Sequence, residues 1–138
     1  MLNIALLTLL LASSEVHAEQ WVALRKPVER LGDPPQILVD ASSIDILEMG
    51  IRRARVKVDF LGSRPPPENI EPAALIFMIL IKSYDCENKL RREDSMEFHS
   101  VDGSVHTSDP SKQAPWYPAP ENPAADPTIG YVCTWKRK

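Results

Sequence analysis

Two cysteines stand in this chain, Cys86 at the end of a long apolar run and Cys133 five residues before the C-terminus. What they permit depends on the compartment, and the first residues address that. "MLNIALLTLLLASSEVHA" has an apolar core from Ile4 to Ala12, a polar stretch, and Val16-His17-Ala18, which fits the small-x-small rule for signal peptidase. The expectation is a secretory signal peptide over residues 1–18 and a domain over 19–138. The apolar core is too short to span a bilayer. A membrane-anchoring or buried N-terminal helix is the alternative, since no Lys or Arg precedes the core. No cysteine lies near the cleavage site, so no lipobox is present and the mature chain is expected to be exported, periplasmic or secreted, without a transmembrane segment.

In an oxidising compartment two thiols read as one disulfide, Cys86 to Cys133, and no second Cys or His sits at ligand spacing from either to suggest a metal. Closing a loop of 47 residues contributes about 4 kcal/mol on the chain-entropy model. About 120 mature residues form one domain, small enough for such a staple to matter. A formal net charge of −3 lacks the basic excess of a nucleic-acid binder.

The clearest element is "IRRARVKVDF", where Ala54, Val56, Val58 and Phe60 alternate with Arg53, Arg55, Lys57 and Asp59, the period of a strand with one wet face. "WVALRKPV" and "ILVD" on either side of the breaker-rich "LGDPPQ" give two earlier strands. "GSRPPPENIEP" is a Pro-rich loop outside the sheet. "AALIFMILIKSYDC" is apolar on both parities and fits a central strand or a buried helix; its β-branched residues and the absence of a helix cap favour the strand. "KLRREDSMEFHSV" and "SVHTS" flank Asp102-Gly103, read as a two-residue type I′ hairpin. Asp126 and Pro127 suit the N-cap and first position of a short C-terminal helix. The predicted fold is α+β, mainly β: a six-stranded antiparallel meander with a short C-terminal helix tied to it by the disulfide.

Set in order, Trp21, "VDASSI" (Val39 to Ile44), "RVKVDF", "YDCENKLRR" (Tyr84 to Arg92), "DGSV" (Asp102 to Val105), "WYPAP" (Trp116 to Pro120) and "YVC" (Tyr131 to Cys133) resemble the surface-adhesin protein E family of Gram-negative bacteria. The resemblance implies a six-stranded sheet with a disulfide-tied C-terminal helix and, for the family's namesake, adhesion to host extracellular-matrix proteins. The namesake is lipid-anchored, whereas this leader lacks the lipobox cysteine. The function expected is therefore a non-enzymatic, exported binding protein whose partner is an extracellular-matrix or envelope protein. The alternative is a soluble periplasmic structural or protective protein.

The residues offer few catalytic constellations. Ser42 and Ser43 in "ASSID" lack a Gly-x-Ser-x-Gly frame, and Asp40 beside two serines reads as a turn or cap. No phosphate-binding glycine loop is present, and no cofactor is expected. A two-residue hairpin would bring His99 opposite His106, with Glu97 on the same face, a sparse metal candidate whose plainer reading is a solvated face. Lys89, Arg91 and Arg92 form a candidate basic patch for an acidic partner, or a wet face paired with neighbouring acids. Trp116 and Tyr117 are a candidate binding element or a cover for one end of the core. On a strand, Leu75, Phe77, Ile79 and Ile81 point away from the helix-covered face; burying them calls for a curved, closing sheet or a homodimer through that row.

Overall fold

The structure is a computed structural model, and it describes residues 18–30, 33–60, 75–108 and 114–138. Residues 1–17 of the expected leader and the Pro-rich loop 62–72 lie outside the described residues. One antiparallel sheet contains β1 (Trp21–Ala23), β2 (Gln36–Asp40), β3 (Asp45–Ile46), β4 (Ile51–Asp59), β5 (Leu75–Asp85), β6 (Leu90–Ser100), β7 (Val105–Thr107) and β8 (Tyr117–Pro118), followed by the helix α1 (Pro127–Thr134). Six strands run in the order β1-β2-β4-β5-β6-β7, the meander predicted from the sequence; β3 adds to β4 and β8 to β6. These two additions are two residues long, too short to show an alternation.

The ambiguous apolar run is the central strand β5, paired to β4 on one side and β6 on the other. Its two parities face different surroundings. Val39, Ala54, Val56, Leu80 and Tyr84 form the buried core with Val132 of α1, and Met78, Met96, Ile129 and Cys133 pack around them. The opposite face carries Arg53, Arg55 and Lys57 of β4 beside Phe77, Ile79 and Ile81 of β5.

That apolar row is less bare than the alternation alone implies. Ile79 is only 7% exposed, and Phe77 and Ile81 are half-buried. The Lys57 ammonium lies 4.3 Å from the Phe77 ring centroid, and the His99 ring stacks on Phe77 at 4.3 Å. Neighbouring strands thus supply long and aromatic side chains that lie along the row. The side chain of Leu75 lies outside the described residues.

The β6–β7 hairpin departs from the expected turn. His99 pairs with Val105 and Phe98 with His106, so the loop has three residues, Val101 to Gly103. The Gly103 N–H donates to the Ser100 carbonyl at 3.0 Å and Gly103 takes a φ of 83°, a type I turn closed by a left-handed glycine. The extra residue flips every side chain of β7 to the other face. His99 and His106 therefore lie on opposite faces, and the metal candidate built on their opposition is corrected.

The helix begins as predicted, with the Asp126 carboxylate accepting from the Thr128 N–H and Pro127 in the first turn. Cys86 and Cys133 are joined, with an S–S distance of 2.07 Å. Eight residues with Gly130 among them cannot hold a helix alone, so α1 depends on its attachment. Cys86→Ser is expected to lower the melting temperature by several degrees or more, at about 2 to 5 kcal/mol for a native disulfide of a small domain. Thermal unfolding followed by circular dichroism checks this, and an unchanged transition would show that the other contacts of α1 suffice.

Candidate functional site

The "VDASSI" segment is resolved as structural. Asp40 accepts from the Gln20 N–H at 2.9 Å, the Ser42 N–H at 3.0 Å and the Ser42 hydroxyl at 2.6 Å. Ser43 donates to the Asp40 carbonyl and accepts from the Arg55 N–H. Both serines are thereby held in a short 3-10 turn between β2 and β3, the cap reading of Asp40 with two serines.

Charged residues meet at the seam between sheet and helix. Lys82 of β5 and Asp126 before α1 are 6% and 3% exposed. The Lys82 ammonium donates to Asp126 Oδ2 at 2.8 Å, and the Arg91 guanidinium of β6 donates to the same oxygen. Asp126 Oδ1 accepts from the Thr128 hydroxyl at 2.5 Å, and that hydroxyl accepts from Tyr84 Oη at 2.7 Å. Burial by itself would raise the Asp126 pKa, but Lys82, Thr128 and Arg91 hold it down at about 2. Burial pushes the Tyr84 hydroxyl well above its ordinary range, and burial together with Glu93 pushes Tyr117 up to about 12. At the other end of the helix Arg52 Nη1 donates to the carbonyls of Val132 at 3.0 Å and Trp135 at 2.7 Å, a cation set on the negative end of the helix dipole.

The expected basic patch is split by this arrangement. Lys89 is exposed, in a turn with φ 54°. Arg91 is committed to Asp126 and lies over the Tyr117 ring at 4.7 Å, on the helix-covered face. Arg92 points to the other face, donates to Asp94 Oδ1 at 2.8 Å and lies 4.4 Å from the Trp116 ring centroid. β8 pairs with the start of β6 and so seats Trp116 and Tyr117 on the two arginines. A bulge at Asp94 shifts the β5–β6 register between Ile81 and Lys82. Its carboxylate takes up Arg92, Arg53 and the Ser83 hydroxyl on the far face.

Three exposed large apolar side chains lie close together in the chain just before β4. Met49 is 86% exposed, Ile46 55% and Leu47 40%. With Ile51, Arg53, Arg92 and Trp116, residues Ile46 to Glu48 line an open depression of about 740 Å³. Met49 holds a left-handed φ of 59°, a conformation that costs a non-glycine residue roughly 1 to 2 kcal/mol. This surface is not among the features expected from the sequence. Four apolar residues between Ile44 and Met49 without a periodic pattern were its one signal.

Glu97 lies on the face of His99, and its carboxylate is 3.1 Å from His99 Nε2, from which it accepts when that nitrogen carries the proton. Among the described residues no group of three or more His, Cys, Asp or Glu side chains is placed to hold a metal ion. No described helix is long and apolar enough to cross a membrane.

No family model matches the chain, and neither a curated protein nor a solved structure matches it.

Asp126 is depressed from 3.8 to about 2 in the folded chain, so its contribution is fully present above the unfolded value and is lost as pH falls from about 4 towards 2. That contribution is about 2 kcal/mol. Asp126→Asn is expected to cost about 3 to 5 kcal/mol at neutral pH, since it leaves Lys82 and Arg91 without their anion, and to flatten the acid limb of stability. Urea unfolding at a series of pH values measures both, and an acid limb unchanged in the variant would place the titrating group elsewhere.

Proposed function

We propose that this chain is an exported, non-catalytic binding protein of the surface-adhesin protein E kind, and that its partner is an extracellular-matrix protein. The observation that carries this reading is the run of exposed apolar side chains Ile46, Leu47 and Met49, of which Ile46 and Leu47 line a depression with Trp116 and the Arg53–Arg92 pair. Large apolar side chains held in water by a fixed loop are stabilised when a partner covers them. Trp, Met and Arg are the residue types that concentrate binding energy at interfaces. Asp94 anchors both guanidiniums, so the polar rim of this surface is already ordered before a partner arrives. The disulfide is compatible with an oxidising compartment.

The test measures association of the purified protein with immobilised matrix proteins by surface plasmon resonance. Leu47→Asp with Met49→Asp is expected to weaken binding by roughly tenfold or more while leaving the melting temperature and the disulfide unchanged, because both side chains are exposed. Equal binding by wild type and variant would remove this surface from the reading. Protease shaving of intact cells asks the cellular question. Protection in intact cells with cleavage after outer-membrane permeabilisation would overturn the matrix partner in favour of one within the envelope.

A further inference from the structure

A second concavity lies on the opposite face of the sheet, beyond the N-terminal end of α1, with a volume of about 170 Å³. Its wall is aliphatic: Ile37 of β2, Val58 of β4, and Met78 and Leu80 of β5. Its end is charged, with Lys82, Arg91, Glu93 and Asp126, and the exposed Ala125 stands at its rim.

The polar end has more donors than acceptors. An ammonium carries three N–H groups and a guanidinium five, and among the described residues both Lys82 and Arg91 spend one on the single oxygen Asp126 Oδ2. The other Asp126 oxygen is taken by Thr128. Arg91 Nε is buried with no partner. That nitrogen is closed off from the concavity, but the three N–H groups of the Lys82 ammonium and the terminal ones of the Arg91 guanidinium leave capacity for a further acceptor at this end.

The charges narrow the ligand further. Glu93 stands directly opposite Lys82 in the β5–β6 register, and one of its oxygens accepts from Tyr117 Oη at 2.9 Å. Two cations and two carboxylates make the cluster neutral overall, so a bare anion brings a surplus charge against Glu93 and Asp126. A zwitterion does not, since its negative end meets Lys82 and Arg91 while its positive end meets Glu93. At about 20 Å³ per heavy atom at protein packing density the concavity holds roughly eight or nine atoms, the count of a whole valine or leucine.

We propose that this concavity binds a free aliphatic α-amino acid of the valine–leucine class, with its carboxylate against Lys82 and Arg91, its ammonium against Glu93, and its side chain among Ile37, Val58, Met78 and Leu80. The proposal does not depend on the matrix-binding surface, which lies on the other face of the sheet.

Titration of the full domain with L-leucine, followed by amide resonances in ¹H–¹⁵N NMR, tests it. Saturable shifts are expected at Met78, Lys82, Glu93 and Ala125. 4-Methylpentanoate, which lacks the ammonium, and 3-methylbutylamine, which lacks the carboxylate, should each bind about tenfold more weakly or worse. Glu93→Gln should weaken leucine while leaving 4-methylpentanoate unchanged. Ala125→Trp, placed at the exposed rim, should abolish the shifts without loss of melting temperature. No saturable shift up to the solubility limit of leucine would overturn the proposal. So would 4-methylpentanoate binding as tightly as leucine, or shifts that persist with Trp at position 125.

Discussion

The carboxylate of Asp126 is the joint on which the rest of this domain turns. It caps the helix through the Thr128 N–H, and it receives Lys82 from β5 and Arg91 from β6. Buried ion pairs are often poor stabilisers, because desolvation offsets attraction. Here the same carboxylate is also needed to start a helix that cannot start alone, so its charge does two tasks at one desolvation cost. Arg52 from β4 then fixes the far end of the helix, and Cys133 fixes it covalently near that end. Three adjacent strands hold α1 at two points, β5 and β6 at its start and β4 at its end, which determines its direction across the sheet as well as its contact with it.

The two faces of the sheet meet the demand for burial in different ways. The helix-covered face uses a conventional apolar core around Val56, Leu80, Tyr84 and Val132. The other face uses amphipathic side chains: Lys57 and His99 lie against Phe77, and Arg55 lies 5.5 Å from the Trp21 ring centroid while pairing with Glu19. Their apolar stems and ring faces exclude water while their charged ends remain near solvent. The alternation of β4 is what makes this workable, because every second residue there is a long charged one.

Much of this architecture is legible in the chain. The period of β4, the Asp126-Pro127 start of α1 and the cysteine pair are local or countable signals, and they give the meander and its staple. The failures share one cause, which is that small changes of phase are invisible to composition. Asp102-Gly103 suits a two-residue and a three-residue loop equally well, and only the longer one forms, sending His106 away from His99. The bulge at Asp94 similarly brings Arg92 and Asp94 together on the face that also carries Ser95, Glu97 and His99. Arg91 and Arg92 read as one basic run, yet neighbouring positions on a strand face opposite ways, so the run becomes two unrelated ion pairs. The partner of Arg91, thirty-five positions away, carries no sequence signal beyond its capping role.

The disulfide has a topological consequence as well as an energetic one. Residues 86 to 133 form a closed covalent ring that contains β6, β7, β8 and most of α1. The chain is thus a macrocycle carrying two tails, the longer holding β1 to β5 and the shorter only the last few residues. A single backbone scission anywhere in the ring, including the proline-bearing connection between β7 and β8, opens the macrocycle without dividing the molecule. In surroundings where peptide bonds are cut more readily than disulfides are reduced, the fragments stay covalently tethered, and the sheet edge formed by β7 and β8 stays attached to the strands that template it.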